Sequence, residues 1–250
     1  MVLITGASSG IGEACAEGFA REKRNLILVA RRENRLRQLA DRLSHAHGII
    51  AHVFPVDVRN KDQVQTFALN QKNLLTQVKV LVNSAGLSKG LSLIQDGNSD
   101  DWDVTLDTNI KGVLYFTRSL LPIFIENKEG HIVNLGSVAG RWPYPKGNVY
   151  CASKAAVAML SESLRWDLNG TGIRVTEISP AMVNTEFSLV RLGNQERADA
   201  VYSGLTPLSA QDVAETILWS VNRPQHVNIR EIVLYPTDQA STTLSHRRPL

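Results

Sequence analysis

The chain has 250 residues, of which 43% are apolar and 20% are charged, and its 27 basic and 24 acidic side chains give a net charge of +3. These proportions are typical of an ordinary globular protein, and so small a basic excess does not favour a nucleic-acid partner. The cysteines, Cys15 and Cys151, provide neither a disulfide framework nor the spacing of a metal site. No apolar run approaches about 18 residues, and the N-terminus lacks the basic region of a signal peptide. We therefore expect a cytoplasmic protein without a metal or a membrane span.

A glycine-rich turn follows the first predicted strand, residues 2–4, and precedes a run with helical periodicity. Strand, turn and helix in this order are the setting of a dinucleotide-binding motif. Gly6 and Gly10 permit a tight turn, and the helix N-terminus offers free N–H groups to phosphate. The spacing is G-x-x-x-G-x-G rather than the common G-x-G-x-x-G. Taken alone, the same residues could form a turn that binds no ligand.

Arg31 and Arg32 follow the second predicted strand, the continuously apolar residues 25–30. A cofactor with a free ribose 2′-hydroxyl usually meets an acidic residue at this position, whereas a guanidinium group suits a 2′-phosphate. The pair therefore predicts NADP as the cofactor. The alternative is that both arginines line the solvated start of a helix, although arginine is mildly unfavourable there.

The third and fourth predicted strands, residues 49–56 and 78–82, end at Asp57 and at segment 83–86, with a helix predicted over residues 60–76. Asp57 could accept a hydrogen bond from an adenine amino group, or it could cap a turn. The glycine that closes segment 83–86 would let the backbone approach a cofactor closely.

The longest predicted helix, residues 101–126, contains Asn109 near its middle, where asparagine is intrinsically unfavourable. Asn109 is therefore either a functional residue or a tolerated surface residue. The buried face of this helix is expected to carry the following apolar side chains: Trp102, Leu106, Ile110, Val113, Leu114 and Leu121.

Tyr150 and Lys154 are four residues apart in an alanine-rich run that is predicted to be helical, so they lie on one face, one turn apart. An ammonium group at that position would stabilise the phenolate and lower the tyrosine pKa from about 10. Ser137 follows the fifth predicted strand, residues 131–135, and could hydrogen-bond an oxygen held by the tyrosine. Together they predict an acid–base site for a carbonyl or an alcohol. An isolated Y-x-x-x-K pair is more often a pair on a helix surface.

The C-terminal third begins with a sixth predicted strand, residues 173–179, followed by a segment of mixed irregular and helical character. A segment of that length after a strand end predicts a substrate lid around residues 181–207. The last predicted helix and strand cover residues 211–221 and 231–235. The polar tail, residues 238–250, is expected to be loosely held unless an oligomer contact fixes it.

Strands and helices alternate along the whole chain without a linker or a repeat. The pattern predicts a single α/β domain over residues 1–250, a Rossmann-type doubly wound parallel sheet flanked by helices. Ligands bind at the carboxyl ends of the strands in such sheets, which favours a functional role for the residues predicted there: Gly6, Arg31, Asp57, Asn83, Ser137 and Pro180.

The chain resembles the short-chain dehydrogenase/reductase family in its motifs TGASSGIG, NSAG, NIKG and YCASK, together with Ser137. The resemblance implies that Tyr150 donates a proton to a carbonyl oxygen and that Lys154 binds the nicotinamide ribose. It also implies that Ser137 positions the substrate and that Asn109 holds a water molecule in the proton relay. The implied cofactor contacts are Gly6, Ser8, Ser9, Gly10, Ile11, Arg31, Arg32, Asp57, Val58, Asn83, Ala85, Gly86, Tyr150, Lys154, Pro180, Val183 and Thr185. Ala181 departs from the family, which usually has glycine there.

Segments such as RWPYPKGNVYCASK and NTEFSLVRLGN are similar to the NADP-dependent 3-hydroxy acid dehydrogenases, which act on serine, L-allo-threonine, 3-hydroxypropionate or malonic semialdehyde. This similarity implies an NADP-dependent oxidoreductase that forms a homotetramer. We expect Arg191, in the lid, to hold a substrate carboxylate, with Arg141 as the rival partner. A carbonyl reductase of another ketone or alcohol class and a non-catalytic NADP-binding redox sensor remain as alternatives.

Overall fold

Seven parallel strands form the sheet at the centre of the computed structural model, which describes residues 1–249. The strand order is β3-β2-β1-β4-β5-β6-β9, and a separate pair is formed by β7 and β8. The predicted strands are present, with ends that differ by one or two residues. The strands are β1 (Val2–Thr5), β2 (Leu26–Ala30), β3 (Ala51–Pro55), β4 (Val80–Asn83), β5 (Gly130–Leu135), β6 (Ile173–Pro180), β7 (Val183–Asn184), β8 (Leu208–Ser209) and β9 (Glu231–Leu234).

Helices cover both faces of this sheet, as the nearly continuous apolar strands require. One core layer lies between the sheet and α1, α2 and α10, and the other lies between the sheet and α3, α6 and α7. The helices are α1 (Gly10–Arg21), α2 (Glu33–His47), α3 (Lys61–Asn70), α4 (Lys72–Leu75), α5 (Ser99–Leu106), α6 (Gly112–Asn127), α7 (Asn148–Asp167), α8 (Phe187–Leu192), α9 (Gln195–Tyr202) and α10 (Ala210–Val221).

The segment predicted as one long helix, residues 101–126, is divided by a π-helical turn at Asp107–Lys111. This turn joins α5 to α6 and changes the rotational phase of the side chains, because each π turn contains an extra residue. Val113 is buried as predicted, whereas the prediction that Leu114 is buried was wrong, since 41% of it is exposed. The helix predicted over residues 60–76 is likewise divided into α3 and α4.

The strand order reverses direction at β1, whose neighbours are β2 and β4. Loops that leave the carboxyl ends of these strands diverge to opposite faces of the sheet, and the crevice between them is where doubly wound sheets bind ligands. The structure therefore places the predicted site at the switch point of the sheet. Among residues 1–249, no helix is both long and apolar enough to cross a membrane.

The C-terminal tail packs against the end of the segment predicted as a lid. Arg247 donates hydrogen bonds to the carbonyl oxygens of Val201 and Ser203, and Arg248 pairs with Asp238. The expectation of a loosely held tail was thus wrong for residues 238–249, while residue 250 lies outside the described residues. These contacts tie the last residues of the chain to the end of α9.

Candidate active site

A cavity of about 500 Å³ opens at the carboxyl ends of the central strands. Its walls come from the turn after β1, the loops after β2 to β5, the start of α7 and the segment after β6. Nearly all predicted site residues line it: Gly6, Ser8, Ser9, Gly10, Ile11, Arg31, Arg32, Asp57, Val58, Ala85, Gly86, Ser137, Tyr150, Lys154, Pro180, Val183, Thr185 and Arg191. Asn83 and Asn109 lie beneath its surface, each no more than 2% exposed.

The turn after β1 brings two stretches of backbone into close contact. Gly6 has a φ of +69°, and a Cβ at this position would lie 2.8 Å from the backbone nitrogen of Ala85. Only glycine allows this approach together with this backbone conformation. The N-cap residue of α1, Ser9, makes no capping bond with its own side chain. The first N–H groups of α1 therefore remain able to bind an anion such as a pyrophosphate.

Arg32 connects the glycine-rich turn to the start of α8. Its guanidinium group donates to the hydroxyls of Ser8 (3.1 Å) and Ser9 (2.6 Å) and to a carboxylate oxygen of Glu186 (2.8 Å). Arg35 donates to the other oxygen of the same carboxylate (2.6 Å). These hydrogen bonds lower the pKa of Glu186 to about 2, so the carboxylate stays charged at all physiological pH values. The predicted phosphate-binding arginine is thus paired with an acidic group across the cleft.

Arg31 and Asp57 both line the adenosine end of the cavity, but they differ in their ion pairing. The Asp57 carboxylate accepts hydrogen bonds from Nε (3.0 Å) and Nη2 (2.6 Å) of Arg59. Burial opposes its charge, but the bonds from Arg59 outweigh burial and lower the pKa of Asp57. Arg31, in contrast, forms no ion pair within residues 1–249. Its side chain is exposed at the cavity rim and can receive an anionic ligand.

Tyr150 lies on the first turn of α7 with its ring packed on Phe187, at a centroid distance of 5.3 Å. Burial raises the pKa of Tyr150, and the neighbouring Tyr144 phenol raises it further. A hydrogen bond from Ser137 and the charge of Arg191 act in the opposite direction. The site therefore holds Tyr150 as a neutral phenol, which is the form that donates a proton.

Lys154 is buried one turn further along α7, and its ammonium group donates a 2.7 Å hydrogen bond to the carbonyl oxygen of Leu135. Its Nζ lies 6.0 Å from the centre of the Tyr150 ring. Burial lowers the pKa of Lys154 to about 8, against the influence of Glu177. Burial outweighs the nearby groups that favour the phenolate, so the net effect of the site is to raise the pKa of Tyr150 and not to lower it as expected.

Asn109 lies within the π-helical turn and holds the loop after β4. Its amide nitrogen donates to the carbonyl oxygen of Leu87 (2.8 Å) and to the hydroxyl of Ser153 (2.9 Å), while its oxygen accepts from the Leu87 N–H group (2.9 Å). A Cβ added to Gly86 would touch both Asn109 Oδ1 and Lys154 Nζ. Asn109 and Lys154 thus flank Gly86, and the alternative of a tolerated surface position was wrong.

Asn83, predicted as a cofactor contact, points its side chain away from the cavity. The amide donates to Asn134 Oδ1 (2.9 Å) and to Thr117 Oγ1 (3.2 Å) beneath the sheet edge. It therefore supports the loop that carries Ala85 and Gly86 rather than lining the cavity with its own side chain.

Arg191 lies on α8, with its guanidinium group facing two tyrosine rings. Its Nη1 donates to the Tyr144 hydroxyl (2.8 Å), and its Cζ lies 5.8 Å from the centre of the Tyr150 ring. Within residues 1–249, Nη2 is buried and has no hydrogen-bond partner. A buried N–H group of a guanidinium normally has an acceptor, so this atom marks a position for an anionic group. The rival candidate, Arg141, is paired with Glu231 and does not line the cavity.

The cavity residues that sequence reasoning missed include Tyr144, Glu186 and Phe187, which contact predicted site residues. Tyr144 belongs to the aromatic loop before α7, and its proximity to Tyr150 was a usable signal. Glu186 and Phe187 gave no local signal, because their partners Arg32 and Tyr150 lie far away in the sequence. Ala181 is absent from the non-glycine residues with positive φ in the described chain, so alanine replaces the usual glycine without backbone strain.

The fold and the cavity are those of a dinucleotide-binding oxidoreductase. The glycine-rich turn opens onto α1, and the neutral phenol of Tyr150 lies beside Ser137 and Lys154. The sequence model of the family described as short chain dehydrogenase matches residues 1–194. The chain belongs to this short-chain dehydrogenase/reductase family.

Several relatives match the chain over nearly its whole length. It is 48% identical to sulfoacetaldehyde reductase 2 of Chromohalobacter salexigens, over 96% of this chain and 95% of that protein. It is 41% identical to the NADP-dependent 3-hydroxy acid dehydrogenase of Salmonella typhimurium, over 99% of both chains. The closed form of serine dehydrogenase complexed with NADP⁺ has a similar structure, with a TM-score of 0.93 and 39% identity over 99% of both chains. These matches confirm the predicted family, fold and oxidoreductase class.

Proposed function

We propose that the protein transfers a hydride between NADP and the carbinol carbon of a short substrate that carries an acidic group one methylene away. The 3-hydroxy acids and 3-oxo acids of the serine and 3-hydroxypropionate type are the leading substrate class. The observation that carries this proposal is the buried, unpartnered Nη2 of Arg191 beside Tyr150. NADP is also the cofactor in the names of the similar 3-hydroxy acid dehydrogenases and of the serine dehydrogenase complex.

The residues that line the cavity suit NADP. The turn at Gly6 and the N-terminus of α1 would hold the pyrophosphate, and Arg31 with Arg32 would hold the 2′-phosphate. Lys154 would hold the nicotinamide ribose, close to Leu135. When bound, the nicotinamide supplies the hydride for reduction or accepts it in oxidation.

Proton transfer is the task of the chain's own side chains. In reduction, the neutral Tyr150 phenol gives its proton to the carbonyl oxygen as the new C–H bond forms, and Ser137 holds the same oxygen. In oxidation, the carbinol hydroxyl returns the proton to the phenolate. The phenolate that reduction leaves behind is stabilised by nearby positive charge, including that of Lys154 and Arg191. Asn109 holds the backbone around Gly86 against Lys154.

A second candidate class is the sulfonated aldehydes. The 48% identity to a sulfoacetaldehyde reductase favours it. In sulfoacetaldehyde, as in a 3-oxo acid, one methylene separates the acidic group from the reacting carbon. Arg191 and the Tyr144 hydroxyl can donate to oxygens of either group. The chemistry shared by both classes is a small anionic head beside the reacting carbon.

Replacing Arg191 tests the anion site. Arg191→Met should lower kcat/KM for 3-hydroxypropionate and for sulfoacetaldehyde by about tenfold to a hundredfold, since a hydrogen bond to a charged group contributes about 1.5–3 kcal/mol. Oxidation of the neutral analogue propan-1-ol should fall much less, because it loses only the contribution of the Arg191 charge to the phenolate and no anion contact. Arg197→Met, on the exposed start of α9, serves as the matched control. Equal losses of kcat/KM for charged and neutral substrates would contradict an anion site. The kcat/KM values of the parent enzyme for the two charged substrates show which substrate class it prefers.

Several further properties belong to this proposal. We propose a single domain over residues 1–250 in which residues 181–207, containing β7, α8 and α9, form the substrate lid. Arg191 and Phe187 would then close the cavity from above Tyr150. We also propose that the enzyme works in the cytoplasm as a homotetramer. Exposed tryptophans on α7 and α10 support the assembly, since large exposed apolar side chains often mark contacts between subunits.

A further inference from the structure

A row of polar side chains crosses the sheet at the level of the active site. Neighbouring strands place Thr5 beside Asn83, Asn83 beside Asn134, Asn134 beside Glu177, and Glu177 beside Glu231. Side chains paired in this way project from the same face of a sheet. Asn134 donates to Ser161 on α7, so Glu177 also faces α7, the helix that carries Tyr150 and Lys154. No step of the proposed reaction uses this glutamate.

Glu177 is an acidic residue that is almost completely buried, with 2% of its surface exposed to solvent. Within the described chain, its carboxylate accepts one side-chain hydrogen bond, from the Ser179 hydroxyl at 2.6 Å. Burying a carboxylate with so few partners is costly unless a cation compensates for it. Burial accordingly raises the pKa of Glu177. Because burial of this carboxylate costs free energy, we expect Glu177 to have a role that an apolar side chain could not perform.

The backbone around Glu177 is shaped to receive the carboxylate. A Cβ at position 136 would collide with Glu177 Oε1 and with Ser179 Oγ, so only glycine leaves space there. Gly136 is the link between two catalytic elements: Leu135 before it accepts the hydrogen bond of Lys154, and Ser137 follows it. The Glu177 carboxylate therefore packs directly beneath the turn that positions both Lys154 and Ser137.

Charged groups approach Glu177 from three sides. Lys154 comes from α7 and Arg141 from the turn after β5, and both favour the charged carboxylate, whereas Glu231 from β9 disfavours it. Arg141 is already paired with Glu231. Lys154 forms no ion pair within residues 1–249 and is itself buried, and Glu177 is the acidic group that favours its charged form. The two buried groups therefore carry opposite charges and contact neighbouring residues of one turn, Glu177 at Gly136 and Lys154 at Leu135.

We propose that Glu177 is a positioning residue that keeps the Lys154 ammonium charged and supports the Gly136 turn beneath Ser137. The catalytic consequence rests on the function proposed above, because only in that reaction must Lys154 stabilise a phenolate. An isosteric amide at position 177 preserves the volume of the side chain but removes its charge. Lys154 would then lose its proton at a lower pH, and the charged fraction would fall at pH values where the parent enzyme still works.

The test is a titration of Lys154 by NMR in the full-length protein with isotope-labelled lysine, the signal being assigned by its loss in Lys154→Arg. In Glu177→Gln the pKa of Lys154 should fall by about one pH unit or more, whereas Glu177→Asp should restore most of it. Glu162→Gln, which removes a partly buried carboxylate from the same helix, should leave it unchanged. With NADPH saturating, kcat of Glu177→Gln should fall most steeply above neutral pH, while KM changes little.

An unchanged Lys154 pKa in Glu177→Gln would overturn the proposal, and so would an equal loss of kcat at every pH. If Glu177→Gln does not fold, Glu177→Met carries the test, because it removes the same charge with an apolar side chain of similar volume and should lower the Lys154 pKa in the same direction. The NMR titration of Lys154 does not depend on catalytic activity. A parent enzyme that reduces neither substrate class would therefore refute the proposed function while leaving the pairing of Glu177 with Lys154 to be judged by NMR alone.

Discussion

Tyr150 is held in its proton-donating form by burial rather than in its phenolate form by Lys154. The phenol is enclosed by Tyr144, Phe187 and Ser137, and the ammonium group of Lys154 is hydrogen-bonded to Leu135. A general acid should keep its proton until it transfers it to the carbonyl oxygen. Enclosure of the phenol favours this, because the phenol stays protonated until the developing oxyanion accepts the proton. In the proposed reaction, the charge of Lys154 would then stabilise the phenolate that remains.

Removing the phenolic oxygen of Tyr150 should slow the chemical step while leaving cofactor affinity nearly unchanged. Tyr150→Phe keeps the ring contact with Phe187, so we expect cofactor affinity to remain within about twofold while kcat falls by about 10²–10⁴-fold, as for loss of a general acid. Stopped-flow hydride transfer and fluorescence titration with NADPH measure the two quantities. Substantial activity in this variant would contradict the assignment of Tyr150, and Tyr115→Phe on α6 provides a control for a distant tyrosine.

Residues of the active site differ in how far their local sequence reveals them. Tyr150 and Lys154 could be predicted because one helix fixes their geometry, and Ser137 because a strand end does. Arg191 could be proposed from its position after β6, but its contact with Tyr144 depends on the fold of two loops. Glu177 could not be recognised, because its neighbours Gly136 and Lys154 approach only when β5, β6 and α7 pack together.

At the scale of elements, the start of α2 and the start of α8 are joined across the cleft. Arg32 and Arg35 from the first hold Glu186 from the second. These pairs are partly exposed and individually weak. Because they connect the predicted 2′-phosphate site to the proposed lid, we expect cofactor binding and the position of the lid to depend on the same residues. Arg31 stands outside this arrangement and is available to the phosphate alone.

This difference between the two arginines predicts distinct effects. Arg31→Ala should reduce the preference for NADPH over NADH by roughly tenfold, the effect of one hydrogen bond to a charged group, without changing substrate KM. Arg32→Ala should reduce the preference and also raise substrate KM, since the lid loses its contact at Glu186. Steady-state kinetics with both cofactors at low and high salt measures the effects, which should shrink with salt.

Arg37→Ala is the matched control, because Arg37 lies on the same helix and pairs only locally with Glu33. Equal efficiency of the parent enzyme with NADPH and NADH would refute the role of both arginines. Identical behaviour of Arg31→Ala and Arg32→Ala would contradict the link between phosphate site and lid.

The elements themselves were largely predictable, and the exceptions have a physical cause. Strand residues alternate or run continuously apolar, and glycine-rich turns separate them, so β1 to β6 could be read from the sequence. The π-helical turn at Asp107–Lys111 could not, because residues 101–126 have an ordinary helical periodicity. Asn109 in this turn bonds Leu87 and Ser153, two contacts outside its own helix that its local sequence does not indicate.

At the scale of the whole molecule, two faces carry large exposed apolar side chains. Met159 and Trp166, 66% and 77% exposed, are seven residues apart on α7 and so lie on one side of it. Trp219 on α10 is 49% exposed, and nearby in the fold β9 forms an edge of the sheet. A tetramer with perpendicular twofold axes needs at least two different self-complementary interfaces. The α7 and α10 faces, one on each side of the sheet, are the candidate interfaces of the proposed homotetramer.

Each face should therefore be needed for the tetramer but not for the fold of the subunit. We expect Trp166→Glu and Trp219→Glu each to convert the tetramer into dimers, because a charge buried in a symmetric interface meets its own copy without a counter-ion. The double variant should be monomeric. Leu69→Glu, at a leucine that is 77% exposed on α3, should remain tetrameric. Size-exclusion chromatography with light scattering measures the mass, and circular dichroism checks the fold. A monomeric parent protein would exclude the proposed tetramer. A double variant that stays tetrameric would show that the subunit interfaces lie on other faces.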